Sequence, residues 1–251
     1  MTNAILSYGN RFLVTGTQEA TFTGDSNFSA APPASNLGNA QLPRVAEFSG
    51  AAATLTCEAV DGSNPDTFSA DVFALLGLQG FADSAVIDFY DGSTLLGSVT
   101  YSAPPVGGEH AVLTLDSPAS LDTLTVEISS AGTGTKRIGA VWAGTSKRFD
   151  QGNETAIETS DTGIVSRSQG GTAWTFGGET VNSFAIRARE SSPESWYAAL
   201  KAVGTTEPVL FILDRNGSRF IVSYGLIEQG WQIRPISSSL YDVSARLVES
   251  L

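Results

Sequence analysis

The chain has 251 residues, 41% of them hydrophobic and 16% charged, so it can bury a core and is not a disordered polymer. Its net charge of −12 and pI near 4.4 exclude an electrostatic footprint for nucleic acid. A single cysteine, Cys57, and a single histidine, His110, exclude an intrachain disulfide and a Cys/His metal cluster.

Residues 1–24 read as an N-terminal arm. Two short apolar patches, Ala4–Leu6 and Arg11–Val14, flank Ser7, Tyr8, Gly9 and Asn10. Such a segment cannot form a core alone and must pack on the body or on a neighbouring subunit. The opening MTNAILSYGNRFLV lacks a basic stretch followed by a continuous apolar run, so no secretory signal is predicted there. No stretch reaches the length of a membrane-spanning helix. Synthesis and folding in a cytoplasm are expected.

Gly24–Gly38 reads as loop around Pro32-Pro33. Arg44–Phe48 and Ala53–Val60 alternate with the period of half-buried strands, which puts Cys57 inside. DGSNPD, Asp61–Asp66, is a turn. DVFALLGL, Asp71–Leu78, is a continuous apolar run and reads as a central strand. Ala85–Tyr90 and Leu95–Tyr101 form a hairpin across Asp91-Gly92-Ser93. His110–Leu115, Leu121–Ser129 and Lys136–Ala143 are three more strands. Many short strands separated by turn signals predict a sandwich or jelly roll over residues 25–143.

KRIGAVWAGTSKRFDQG, Lys136–Gly152, is read as the closing strand of that module followed by a polar linker. Trp142 is expected in the core of the first module. Lys147 and Arg148, cations in an acidic chain, are candidates for pairing with an acidic neighbour. Together with Phe149, which lies in a loop-like context, they are the candidate interface residues.

Residues 144–251 read as an antiparallel sheet or small barrel with one helix. Glu158–Ser168, Thr172–Gly177 and Val181–Arg189 are strand patterns. The helix is Pro193–Val203. Ser191 or Ser192 can cap it, Pro193 suits its first turn, Glu194 its positive end, and Gly204 stops it. Trp196, Leu200 and Val203 give it one apolar face. Val209–Leu213 and Arg219–Tyr224 form a hairpin across Asn216-Gly217. Trp231–Ile236 and Leu240–Val248 complete the set.

Catalytic chemistry is not evident in the sequence. His110, after a Gly-Gly loop, reads as a surface or rim residue, and there is no nucleophile elbow or phosphate loop. Asp88 with Asp91, or Glu47 with Glu58, could be paired carboxylates, but Asp at a hairpin turn serves the turn itself. Asp61, Asn64 and Asp66 resemble a hard-cation loop that turn formation explains equally well. Asn27, Asn153 and Asn216 match the glycosylation pattern by chance in a chain without a signal. No catalytic residue, cofactor or metal is therefore expected. Trp142, Trp174, Trp196 and Trp231 fall one per element and read as packing residues.

ASNLGN (34–39) and DVFALLGLQGFADSAVIDFYDG (71–92) are similar to the entry loop and strand–loop–strand core of galactose-binding-like jelly rolls. The order RIGAVWAG (137–144), SDTGIVSRSQGG (160–171), VLFILDRNG (209–217) and LYDVSARLVES (240–250) resembles tail-tip or baseplate virion proteins of long-tailed bacteriophages, the distal-tail class. That resemblance implies an all-β chain with a projecting galactose-binding-like jelly roll (25–143) and a tail-tube-like ring domain (144–251). It also implies an N-terminal arm that clasps a neighbour. The implied partners are further copies and other tail proteins, with weak contact to host glycans and no specific nucleic-acid binding. The implied location is the virion. The alternative is a carbohydrate-binding module of a surface or virion protein.

Overall fold

The computed structural model describes the chain apart from residues 1, 15–18, 39–41, 43, 62–63, 103–109, 151–156, 162–163, 168–172, 177–179, 191–192, 205, 216–217, 229, 239 and 250–251. The first half contains β1 (Thr2–Tyr8), β2 (Glu19–Gly24), β3 (Ala46–Ser49), β4 (Ala53–Asp61), β5 (Asn64–Pro65), β6 (Phe68–Leu76), β7 (Val86–Asp91), β8 (Thr94–Thr100), β9 (Ala111–Leu121), β10 (Thr123–Ser129), β11 (Thr135–Ile138) and β12 (Ala140–Asp150). Then come β13 (Ile157–Asp161), β14 (Ile164–Arg167), β15 (Ala173–Phe176), β16 (Thr180–Glu190), α1 (Pro193–Val203), β17 (Pro208–Arg215), β18 (Ser218–Ile227), β19 (Gln232–Ser237) and β20 (Leu240–Glu249). The protein is mostly antiparallel β-sheet with one short helix, as expected of an all-β chain.

Two large sheets organise it. A six-stranded sheet runs β2-β4-β10-β7-β8, with β5 beside β4. A ten-stranded sheet runs β13-β16-β20-β18-β17-β1-β12-β6-β9, with β19 beside β20. Its path is open, so the described strands form no closed barrel. One core lies between the six-stranded sheet and the β12-β6-β9 end of the larger one, with Leu55, Cys57, Ile87, Phe89, Leu124 and Val126 facing Phe73, Leu75, Val141 and Ala143. These alternate along their strands with exposed or half-buried residues, as the period of two requires.

A second core lies under α1. Trp196, Leu200 and Val203 pack on Phe184, Ile186, Phe211, Val243 and Leu247. The helix occupies the span read from its caps and apolar face, and Gly204 (φ +60°) ends it by donating its N–H to the Leu200 carbonyl at 3.0 Å. Ser191 and Ser192 lie outside the described residues. A third apolar cluster, with Ile5, Val72, Trp142, Ile212 and Tyr224 among its members, occupies the opposite face of the large sheet.

Four expectations are corrected. The N-terminal segment is no arm on a neighbour: β1 sits inside the chain's own sheet, between β12 and β17. Its Ala4, Ile5 and Leu6 are buried, and apolar strand residues gain most by filling a slot flanked on both sides. Lys136–Ala143 is two strands in two sheets, β11 against β3 and β12 against β6. They meet at Gly139, where a Cβ would stand 2.7 Å from the Leu42 carbonyl. The polar stretch after Gly144 is no linker but the second half of β12, so the boundary expected at 143/144 falls inside one strand. His110 is buried rather than at the rim. Its Nδ1 accepts the Gly77 N–H at 3.1 Å, which places the proton of a neutral ring on Nε2.

Candidate functional site

The feature that joins the two halves is β12. Its first residues, Ala140–Gly144, pair with β6, while Thr145–Asp150 pair with β1 through the register Tyr8↔Thr145 to Asn3↔Asp150. β1 in turn pairs with β17 from Ser7↔Leu210 to Thr2↔Arg215. The two apolar cores are thereby attached to one sheet.

Beyond the end of β1 the side chain of Asn10 continues the ladder. Its Nδ2 donates to the Val141 carbonyl at 3.0 Å, and its Oδ1 accepts the N–H groups of Ala143 at 3.0 Å and Phe12 at 3.2 Å. The Arg11 N–H adds a bond to the Ala143 carbonyl at 2.9 Å. A primary amide carries donor and acceptor like a peptide unit, so it satisfies an edge of β12 that would otherwise be buried unpaired.

Trp142 lies on the opposite face of β12 from Val141 and Ala143. Because those two point into the sandwich core, strict alternation sends the indole away from it. This corrects its expected place in the first module's core. The ring is fully buried, meets Tyr224 of β18 edge to face at 6.1 Å, and donates Nε1–H to Ser7 Oγ at 2.9 Å. Ser7 Oγ–H passes the bond on to the Thr145 carbonyl at 3.0 Å. β12 and β18 are three strand spacings apart, about 14 Å on a flat sheet. Their rings nevertheless meet, because both are long side chains on the same face of the sheet. Burial pushes the Tyr224 hydroxyl pKa up.

The expected interface residues all lie in β12 and find partners within the chain. Lys147 Nζ donates to Ser195 Oγ at 2.9 Å and stands 5.9 Å over the Trp196 ring. Arg148 points to the other face, donates to the Leu115 carbonyl, and lies 3.5 Å from Asp116. Phe149 is buried under α1, edge to face with Trp196 at 4.9 Å. Sequence reasoning grouped them by proximity, but adjacent strand residues face opposite sides.

The other candidates also resolve. Cys57 is fully buried and its thiol pKa is pushed up by that burial. Asp66 pairs with Arg11, and the side chains of Asp61 and Asn64 lie outside the described residues. Glu47 pairs with Arg137 at 2.6 Å. Asp88 and Asp91 lie on β7, which forms the expected hairpin with β8 through Gly92 (φ +55°) and Ser93. Of Asn27, Asn153 and Asn216, only Asn27 is described. Its amide nitrogen donates to the Ala52 carbonyl at 3.1 Å. Among the described residues no group of His, Cys, Asp and Glu is placed to hold a metal ion. No described helix is long and apolar enough to cross a membrane.

Family models, curated proteins and solved structures were compared with the chain, and none matches.

The sequence also segregates charge. Residues 45–135 contain no Lys or Arg and twelve Asp or Glu, whereas residues 136–251 carry twelve of each. The whole net charge therefore resides in residues 45–135, which supply most of the sandwich. No strand of the six-stranded sheet bears a cation. On its outer surface, burial raises the pKa of Tyr90, and Glu127 and Asp88 raise it further. On β11, outside that sheet, the ammonium of Lys136 is buried against the carbonyls of Gly50, Gly132 and Gly134, and desolvation lowers its pKa.

Proposed function

We propose that the chain is a structural, non-catalytic subunit of the tail tip or baseplate of a long-tailed bacteriophage. In this reading β1 and the strands from the second half of β12 onward build a ring, and the sandwich projects from it as a galactose-binding-like jelly roll. The observation that carries the reading is the continuous sheet through β12, β1 and β17. A ring subunit that holds a projecting module at a fixed angle needs that kind of stiff joint, whereas a flexible tether leaves relative motion as the default.

Charge distribution supports the same arrangement. Copies of the strongly acidic segment 45–135 repel one another and are driven apart, while the charge-balanced residues 136–251 are free to associate. The order of the segments that resemble distal-tail proteins is the further support. Electron-microscope projections of the purified chain are expected to show rings with a central hole. Immunogold labelling of tail particles should mark the tail end, and label placed anywhere else would sink the proposal.

A further inference from the structure

β8 is an unprotected edge. The paths of the two large sheets end on β2, β8, β9 and β13, and β5 (with Pro65) and β19 (with Pro235) have a single partner strand each. β2 carries Glu19, β9 carries Asp116 and Pro118, and β13 carries Glu158 and Asp161. Such residues blunt an edge, because a charge or a proline is costly beside a newly added strand. β8, TLLGSVT, carries neither. Its one irregularity is the bulge at Leu96, between the pairs Phe89↔Gly97 and Tyr90↔Leu95. The segment Gly97–Thr100 remains a regular ladder. Among the described residues no backbone group bonds to its outer side.

The seam beside this edge is incompletely covered. Leu96 and Val99 of β8 and Leu113 and Leu115 of β9 pack against the sandwich core yet stay only partly buried. Leu95, on the outer face, is 53% exposed. A strand laid along β8 would bring every second side chain over that seam. Its alternate side chains would stand over the face that carries Asp88, Tyr90 and Glu127, in a sheet without a cation.

We propose that β8 is a docking edge for an extended segment of another protein, added antiparallel or parallel as a further strand. Its chemistry is apolar residues alternating with Lys or Arg. Backbone bonds to β8 supply the register-independent part of the affinity, and the acidic face selects the cations. A second copy's β8 fits worse, since it brings another acidic sheet without a cation. The inference does not depend on the virion reading.

The full chain can be titrated with a labelled peptide of about ten residues alternating Val and Lys, against a Val-Glu peptide of the same length. The Val-Lys peptide is expected to bind, to weaken with added salt, and to slow amide exchange within Thr94–Thr100. Ser98→Lys, at an exposed position, should weaken it by about tenfold or more while the melting temperature stays unchanged. Leu95→Lys serves as the second variant. Equal binding of both peptides, protection located elsewhere, or unchanged affinity in both variants overturns the proposal. So does a dimer in light scattering that either variant disperses, because the occupant is then a second copy.

Discussion

Trp142 and Ser7, separated by 135 positions in the sequence, share a buried hydrogen bond of 2.9 Å at the point where the two halves meet. Ser7 is fully buried and its hydroxyl also serves the Thr145 carbonyl. Ser7→Ala leaves the indole N–H without that acceptor, and the expected loss is about 1–2 kcal/mol. The denaturant midpoint, followed by tryptophan fluorescence, measures it.

Gly144 makes this contact sterically feasible. A Cβ there would stand 2.7 Å from the Tyr8 carbonyl, 2.8 Å from Trp142 Nε1 and 2.9 Å from Ser7 Oγ. Gly144→Ala is expected to cost about 2–3 kcal/mol by forcing β1 away from β12. Faster amide exchange along β1, with the α1 core still protected, would be the local signature.

Asn10 holds the edge of β12 with one side chain. Asn10→Ala strips the Val141 carbonyl and the Ala143 N–H of their partner, with an expected loss of about 2–3 kcal/mol. Asn10→Asp keeps an acceptor for Ala143 but loses the donor to Val141, so it should not rescue. A variant as stable as the native chain would show that the edge is satisfied in some other way.

Lys147 and Arg148 act separately because they face opposite sides of β12. Lys147→Glu should weaken the docking of α1 by up to about 1 kcal/mol, since its partner Ser195 is on the helix. Arg148→Glu should instead loosen β9 near Leu115 and Asp116. Amide exchange of each variant locates the change, and the two losses should add.

Stability should fall in alkali. Burial raises the thiol of Cys57 and the hydroxyl of Tyr224 above their ordinary values of 9.0 and 10.0. A folded state that keeps protons the unfolded chain releases loses stability as pH climbs past those values. Lys136 works in the opposite sense between its lowered pKa and 10.5, where the unfolded chain holds the extra proton. The denaturation midpoint of a Lys136→Met variant is therefore expected to fall more steeply above pH 9.0 than that of the native chain. Adding Cys57→Ala and Tyr224→Phe should flatten it.

Much of the secondary structure was legible. Period-two alternation marked β4, β7 and β16, and the pairing of β17 with β18 is the hairpin expected from the sequence, although Asn216 and Gly217 lie outside the described residues. The span of α1 followed from Pro193, its apolar stripe and Gly204. Local chemistry sets these features, because turns, caps and alternation act over a few residues. The charge segregation of residues 45–135 was equally open to reading, although only the sheet order shows that it surrounds the bare edge of β8.

The sequence by itself determined that this is a β-rich chain with one helix of defined span, a buried Cys57 and an anionic N-terminal half. Tertiary structure alone decided that β1 is an interior strand, that β12 serves both halves, and that Asn10 substitutes for a strand residue. It also decided that Trp142 turns away from the sandwich core toward Tyr224. The physical reason is range. A strand's own pattern says which side chains share a face, but the partner that covers that face can lie more than a hundred residues away. Only the folded sheet brings Ser7, Trp142 and Tyr224 together.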